Sequence, residues 1–426
     1  MFHFAYDEAG QLAAEGVTLE TIAREVGTPT FVYTQATLER HFKVFDEAFA
    51  GHPHLVCYAM KASSNGAILK LLGSKGAGAD IVSGGELYRA MKAGIPANKI
   101  VFSGVGKTPD EMAMALDAGI LSFNIESEPE LDVLASVARE KGVVAPVSLR
   151  VNPNVDAKTH PYIATGLRES KFGVPIDDAP RIAARVAKDD AVALVGIDCH
   201  IGSQLVTIEP LLEALEAVLA MVDRLKAEGH AIGHIDLGGG LGIPYKGEAP
   251  PHPSVFGEAV VDRMKGRSEK IVLEPGRVIV GNAGLLLARV LYVKETPARR
   301  FVILDAAMND LIRPSLYQAH HEIWPVKKTE GTFVADVVGP ICESGDTFAK
   351  ARELAAVEAG ELVAIMSAGA YGFTMASTYN SRPRAAEVLV HEDRYSVVRQ
   401  RERIEALTDG ESFPDWLDAG GEGEST

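Results

Sequence analysis

Short apolar runs recur along the chain at 55–60, 78–82, 99–103, 120–124, 146–151, 194–199, 233–237 and 270–274. Between them, patterns of helical period occupy stretches such as 66–75, 86–92 and 209–226. Runs that lack polar alternation predict strands buried on both faces, as in parallel sheets. Strands alternating with helices require parallel pairing through right-handed crossovers, and eight such units close into a (β/α)8 TIM barrel. An open doubly wound sheet is the alternative. After about residue 280 the rhythm changes: 286–293, 300–304, 331–338 and 362–366 read as strands without long helices between them. Such a run predicts a second, mostly antiparallel β domain. Near the start, a helix over 18–26 ends at Gly27 and Pro29, and a strand follows at 30–33. The expected division is an N-terminal segment, 1–35, packed with the β domain, a barrel at 36–280 and the β domain at 281–426.

With 426 residues, 47% of them hydrophobic, the chain can bury a large core. No run approaches the roughly 18 apolar residues of a membrane span, and no basic stretch precedes an apolar one at the N-terminus, which predicts a cytoplasmic protein. A formal charge of −16 argues against nucleic-acid and anionic-membrane partners, which select basic patches. A soluble enzyme or a protein-binding module remains. Cys57, Cys199 and Cys342 are too few and too far apart for a disulfide framework or a cysteine-based zinc site, and no metal is expected.

Barrel enzymes carry reactive groups at the C-terminal ends of their strands, and polar residues stand there repeatedly. The run Val56-Cys57-Tyr58-Ala59-Met60 ends in Lys61. Desolvation lowers an ammonium pKa and makes the amine nucleophilic, as a Schiff-base lysine requires; the ordinary alternative is a solvated lysine capping a strand. Asp80 lies in the second run. His200 ends the sixth and leads into Gly202-Ser203-Gln204, whose hydroxyl and amides suit a phosphate. The seventh enters Gly238-Gly239-Gly240, at the position where barrels often bind phosphate. It is not a Rossmann fingerprint, because Ile243 stands where a glycine is needed; a plain tight turn is the alternative. Gly104-Val105-Gly106-Lys107 fails as a P-loop, since the motif's first glycine falls on Val101. Glu274-Pro275-Gly276-Arg277 closes the eighth run with a carboxylate, a rigid turn and a guanidinium, which an intramolecular ion pair would also explain. In the β domain, Cys342-Glu343-Ser344-Gly345-Asp346 follows Gly339-Pro340, which places the thiol in a loop. The connection 152–173 is long for a barrel loop and reads as a segment that folds over the substrate.

In order and spacing, Tyr58-Ala59-Met60-Lys61-Ala62, His200-Ile201-Gly202-Ser203-Gln204, Gly238-Gly239-Gly240, Glu274-Pro275-Gly276-Arg277, Cys342-Glu343-Ser344-Gly345-Asp346 and Gly369-Ala370-Tyr371-Gly372 resemble the diaminopimelate decarboxylase family over nearly the whole chain. These are pyridoxal-phosphate enzymes with an alanine-racemase-like barrel followed by a β domain. The resemblance implies that Lys61 carries pyridoxal 5′-phosphate, that His200 stacks on its ring and that Asp80 supports it. Ser203, Gly239, Gly240 and Tyr371 would hold the phosphate, with Glu274, Gly276 and Arg277 closing the site. Glu274 would face the pyridine nitrogen, where related alanine racemases place an arginine; a carboxylate there keeps the ring protonated and favours decarboxylation. The implied reaction converts meso-2,6-diaminopimelate to L-lysine and CO2, the last step of lysine biosynthesis. Arg277, Arg313 and Tyr317 match the residues for the distal carboxylate, and Glu343 the acid for the distal ammonium. Tyr371 also touches substrate, and Cys342 returns the proton. The family's Cys342 loop reaches the other subunit, which implies a homodimer with shared sites.

Overall fold

The computed structural model describes residues 2–156 and 171–420. The apolar runs become the strands His54–Ala59, Gly78–Ile81, Ile100–Phe102, Ser122–Ile125, Ala145–Asn152, Val192–Asp198, His234–Asp236 and Lys270–Leu273. Each pairs in parallel with the next, and the last closes on the first through Ile271 opposite His54 and Leu273 opposite Val56. The ring is thus a (β/α)8 barrel rather than an open sheet, because Lys270–Leu273 finds its second neighbour in the first strand. Local signals set the helices between. Thr108 and Glu111 form a reciprocal capping box with Pro109 in the first turn, and Gly119 ends that helix in the left-handed region at φ 72°. Phe102 and Phe123, stacked at 6.0 Å, face outward into the core shared with the helices, while Leu55, Cys57, Val101 and Val272 form a separate small apolar cluster. The glycine-lysine stretch read above as no P-loop serves the fold: the buried Lys107 amine donates to Glu130, Gly104 and Asn124.

The second domain is built on the long strand Gly284–Glu295, which pairs antiparallel with Arg300–Leu304, Leu362–Ile365 and the N-terminal strand Thr30–Thr34. Thr30–Thr34 in turn pairs in parallel with Ala386–His391, so the chain's beginning lies inside the sheet made by its end. Alternation along these strands assigns the two faces. Phe31, Tyr33, Leu286 and Ala288 join the core shared with the barrel, whereas Val32, Leu285 and Leu287 face Leu12, Leu19 and Ile22 of the N-terminal segment. Strands at Thr347–Ala355, Ala386–His391 and Arg394–Arg399 were not anticipated: the first and last expose charged residues such as Lys350 and Arg394, and the second is mostly buried but interrupted by Glu387. Most of the connection expected to cover the substrate, 152–173, falls outside the described residues.

The two domains meet where the short helix Arg277–Val280 leaves the barrel. A Cβ at Gly369 would collide with the Val280 carbonyl and stand 2.9 Å from the Gly284 nitrogen. Gly369→Ala must therefore separate the barrel from the sheet that carries Tyr371. We expect about 1–3 kcal/mol of destabilisation from such overpacking, together with weaker cofactor retention, read by urea denaturation and cofactor titration.

Candidate active site

Lys61 follows the first barrel strand, in a short 3-10 turn whose carbonyls at 61 and 62 accept from Thr374 Oγ1 of the β domain. Its Nζ lies 2.5 Å from Asp80 Oδ2, with the lysine side chain 36% exposed toward the barrel mouth and the aspartate fully buried. Burial alone pushes the Lys61 ammonium down, as its sequence context suggested. Asp80 and Glu274 outweigh that effect, and the amine is held above its ordinary range. The expectation of a desolvated, readily deprotonated lysine is corrected accordingly: the free side chain is an ammonium ion paired with Asp80.

Below this pair lies a set of carboxyl groups. Oxygens of Asp198, Asp236 and Glu274 all lie within 4.8 Å of one another, close enough to share a cation. Burial first, and then Asp236, Asp80 and Asp198, hold the Glu274 carboxyl well above the usual carboxylate range. Burial raises Asp236 to about 6. Glu274 Oε1 accepts from Ser103 Oγ at 3.2 Å and Asn124 Nδ2 at 3.3 Å, and Arg150 faces the cluster from the fifth strand, 3.7 Å from Asp198. Asp80 Oδ1, Asp198 Oδ1 and Asp236 Oδ2 are buried without a hydrogen-bond partner. Uncompensated buried acceptors are costly, so this end of the barrel is suited to a group that brings positive charge.

The glycine loop is shaped by its neighbours. Gly238 has φ +61°, and a Cβ there would stand 2.6 Å from Nδ1 of His200; at Gly240, φ +125°, it would stand 2.8 Å from Leu205. The Gly238 N–H donates to Asp236 and the Gly239 N–H to His200 Nδ1 at 3.2 Å, so both amides are engaged within the protein. Because Nδ1 accepts, the His200 hydrogen sits on Nε2. Burial, Arg150 and Lys61 depress the ring's pKa and keep it neutral.

A cleft lined by Lys61, His200, Gly239, Glu274 and Gly276 opens past Ser203, Arg277 and Tyr371 into a cavity of about 430 Å³ that also carries Arg313, Tyr317 and Tyr245. Arg277 donates to Ser203 Oγ at 3.1 and 3.3 Å and to the Tyr245 hydroxyl at 2.8 Å, and its guanidinium stacks 5.0 Å from the Tyr371 ring. Arg313 sits 4.7 Å over the Tyr245 ring and donates to His321 Nε2 at 3.0 Å. His321 is neutral: burial and Arg313 push it down to about 3, and its Nδ1 donates to the Met366 carbonyl. Both guanidiniums are buried, and among the described residues neither has a carboxylate at ion-pair distance. Tyr371 holds φ +55°, with its N–H on the Ala62 carbonyl. An amine, a buried carboxyl, a flat neutral ring, a hydroxyl and a guanidinium thus line one cleft, which suits an aldehyde-bearing aromatic phosphate.

Cys342 and Glu343 are not brought to this cavity by their own chain. Both are exposed on the loop between Thr332–Val338 and Thr347–Ala355, where Glu343 accepts from the Tyr379 hydroxyl at 2.8 Å. The loop is nevertheless shaped. Buried Asp346 accepts from the Ile341 and Met308 amides at 2.8 and 2.7 Å, and Ser315, on the same short helix as Arg313, donates to Gly345 at 2.6 Å.

The barrel and its mouth define a pyridoxal-phosphate decarboxylase: residues 35–281 match the pyridoxal binding domain of the pyridoxal-dependent decarboxylases. The chain is 54% identical to the diaminopimelate decarboxylase of Pseudomonas aeruginosa, over 96% of this chain and 99% of that one, and 49% identical to that of Aquifex aeolicus, over 94% and 95%. Among solved structures, diaminopimelate decarboxylase of Helicobacter pylori complexed with L-lysine superposes with a TM-score of 0.90 at 43% identity, covering 92% of this chain and 99% of that one. The chain belongs to the diaminopimelate decarboxylase family, and its cofactor is pyridoxal phosphate.

Several residues of the site carry no motif. Ser103 and Asn124 were visible only as polar residues at the ends of apolar strands, Asp236 only as the entry to the glycine loop, and Tyr245 not at all. Glu86 is another: it accepts the Val82 N–H at 2.8 Å, and burial, opposed by that bond and reinforced by Asp80, lifts its carboxyl to about 7. The folded state therefore keeps a proton that the unfolded chain releases near 4.5, so the associated stability is complete below that pH and lost as pH rises through about 7. In the apoprotein, Glu86→Gln should reduce the fall in urea midpoint between about pH 5 and about pH 8.

Proposed function

We propose that Lys61 anchors pyridoxal phosphate and that the two arginines of the adjoining cavity select the substrate of this decarboxylase, meso-2,6-diaminopimelate, which it converts to L-lysine and CO2. The observation that carries this reading is the pair of buried guanidiniums, Arg277 and Arg313, which have no carboxylate at ion-pair distance among the described residues, in a cavity that shares Ser203, Arg277 and Tyr371 with the cleft holding Lys61. A substrate with an amino-acid group at each end supplies the missing carboxylate.

Pyridoxal phosphate, when bound, supplies an electron sink for the carbanion left by CO2 loss. The chain's own residues prepare the site. Asp80, whose Oδ2 lies 2.5 Å from Nζ, fixes the position of the Lys61 amine at the barrel mouth. Glu274 keeps a carboxyl proton for the pyridine nitrogen, which its acidic neighbours favour. The neutral His200 ring offers a flat face without competing charge. Ser203, Gly239, Gly240, Gly276, Arg277 and Tyr371 would surround the phosphate end. Arg313 and Tyr317, with Arg277 and Tyr371, would meet the distal carboxylate.

The remaining roles fall to a second copy. Cys342 as proton donor and Glu343 as partner of the distal ammonium lie outside the single-chain cavity, which supports a homodimer whose loops complete each other's sites. The division into an N-terminal segment, a barrel and a β domain near residues 35 and 280 accompanies this reading, since the strand Thr30–Thr34 pairs within the β-domain sheet.

Lysine should form from meso-diaminopimelate and no amine from L-ornithine or L-arginine; turnover of ornithine would overturn the assignment of Arg313. Lys61→Ala and Cys342→Ala should each be inactive as pure proteins. Mixed and allowed to exchange subunits, they should recover about a quarter of wild-type activity, because half the dimers then hold one intact site. No recovery after verified exchange would contradict shared sites.

A further inference from the structure

Tyr245 lies at the centre of the cavity's interactions. It leaves the glycine loop on a fixed support: the Gln204 side chain bonds both the N–H and the carbonyl of Ile243, at 3.1 and 2.6 Å, and Glu248 accepts the Tyr245 N–H at 2.7 Å. Its side chain is buried. The phenol oxygen accepts from Arg277 at 2.8 Å, and the ring carries the Arg313 guanidinium on its face at 4.7 Å while His321 meets it edge-on at 5.4 Å. One aromatic residue therefore stands between two buried cations that repel each other, and it is attractive to both, through its oxygen and its π face. The two arginines in turn draw the phenol's pKa below its ordinary value, against the effect of burial.

We propose that Tyr245 is a specificity-determining spacer: it fixes Arg313 relative to Arg277, and so sets where the carboxylate at the far end of a diamino diacid must fall when its reacting end lies at Lys61. The proposal rests on the reading of Arg277 and Arg313 given above. Tyr245 belongs to the barrel loop and Arg313 to the β domain, so the spacer also joins the two halves of the cavity. Ligands that keep the distal carboxylate should depend on it, and ligands that lack this group should not. L-lysine keeps that carboxylate after decarboxylation. Its decarboxylated analogue, 1,5-diaminopentane, has none.

The test uses the Tyr245→Phe holoenzyme, which keeps the ring and removes the oxygen. Cofactor content and visible absorbance should match wild type, and kcat should stay within about twofold, while KM for meso-diaminopimelate and the inhibition constant of L-lysine both rise about tenfold, the weight of one charge-assisted hydrogen bond. Inhibition by 1,5-diaminopentane should be unchanged. Unchanged KM, equal weakening of both inhibitors, or loss of cofactor in parallel with KM would overturn the proposal. Failure of the wild-type protein to make lysine would instead remove the functional reading beneath it.

Discussion

Everything at the barrel mouth depends on an excess of buried negative charge. Asp80, Asp198, Asp236 and Glu274 converge there against Lys61 and Arg150. A buried carboxylate without a partner is costly, so burial and mutual repulsion raise the pKa of Asp198, Asp236 and Glu274, while Asp80 and Glu274 keep the lysine charged. The cluster fixes the Lys61 amine at the barrel mouth through Asp80, and it favours any ligand with a basic ring nitrogen. Ser103 and Asn124 fix which Glu274 oxygen is already engaged.

The far end of the site has the opposite imbalance. Arg277 and Arg313 lie buried among tyrosines and a neutral histidine, with no carboxylate at ion-pair distance among the described residues. On the proposed reading, a basic ring nitrogen would offset the acidic end and a distal carboxylate the basic end, so the two imbalances would match the two ends of one substrate complex. The β domain brings Arg313, Tyr317 and Tyr371 to the barrel, and its sheet is completed by the chain's own N-terminal strand. The close contact of Gly369 with the Arg277–Val280 helix fixes where these meet.

Much of this was legible in the sequence. The eight barrel strands stood out because a strand covered on both faces is continuously apolar, and each polar residue that interrupts one marks the rim. Lys61, His200, Glu274 and Arg277 were found in this way. The β domain was read less completely, since strands such as Arg394–Arg399 expose alternate residues and look like loop composition. The sign of the Lys61 shift was misjudged for a different reason: it is set by Asp80 and Glu274, which are 19 and 213 residues away in sequence, and only the fold sums their fields. Tyr245 escaped notice because a lone tyrosine after a proline has no signature. Its role comes from the two arginines that converge on it.

Lys61, paired with Asp80, is the proposed covalent anchor of the cofactor. This assignment is tested most directly by reducing the holoenzyme with borohydride and mapping the modified peptide by mass spectrometry. A single pyridoxyl phosphate adduct is expected on the Lys61 side chain. An adduct on another lysine, or a cofactor that washes away from the reduced protein, would contradict it.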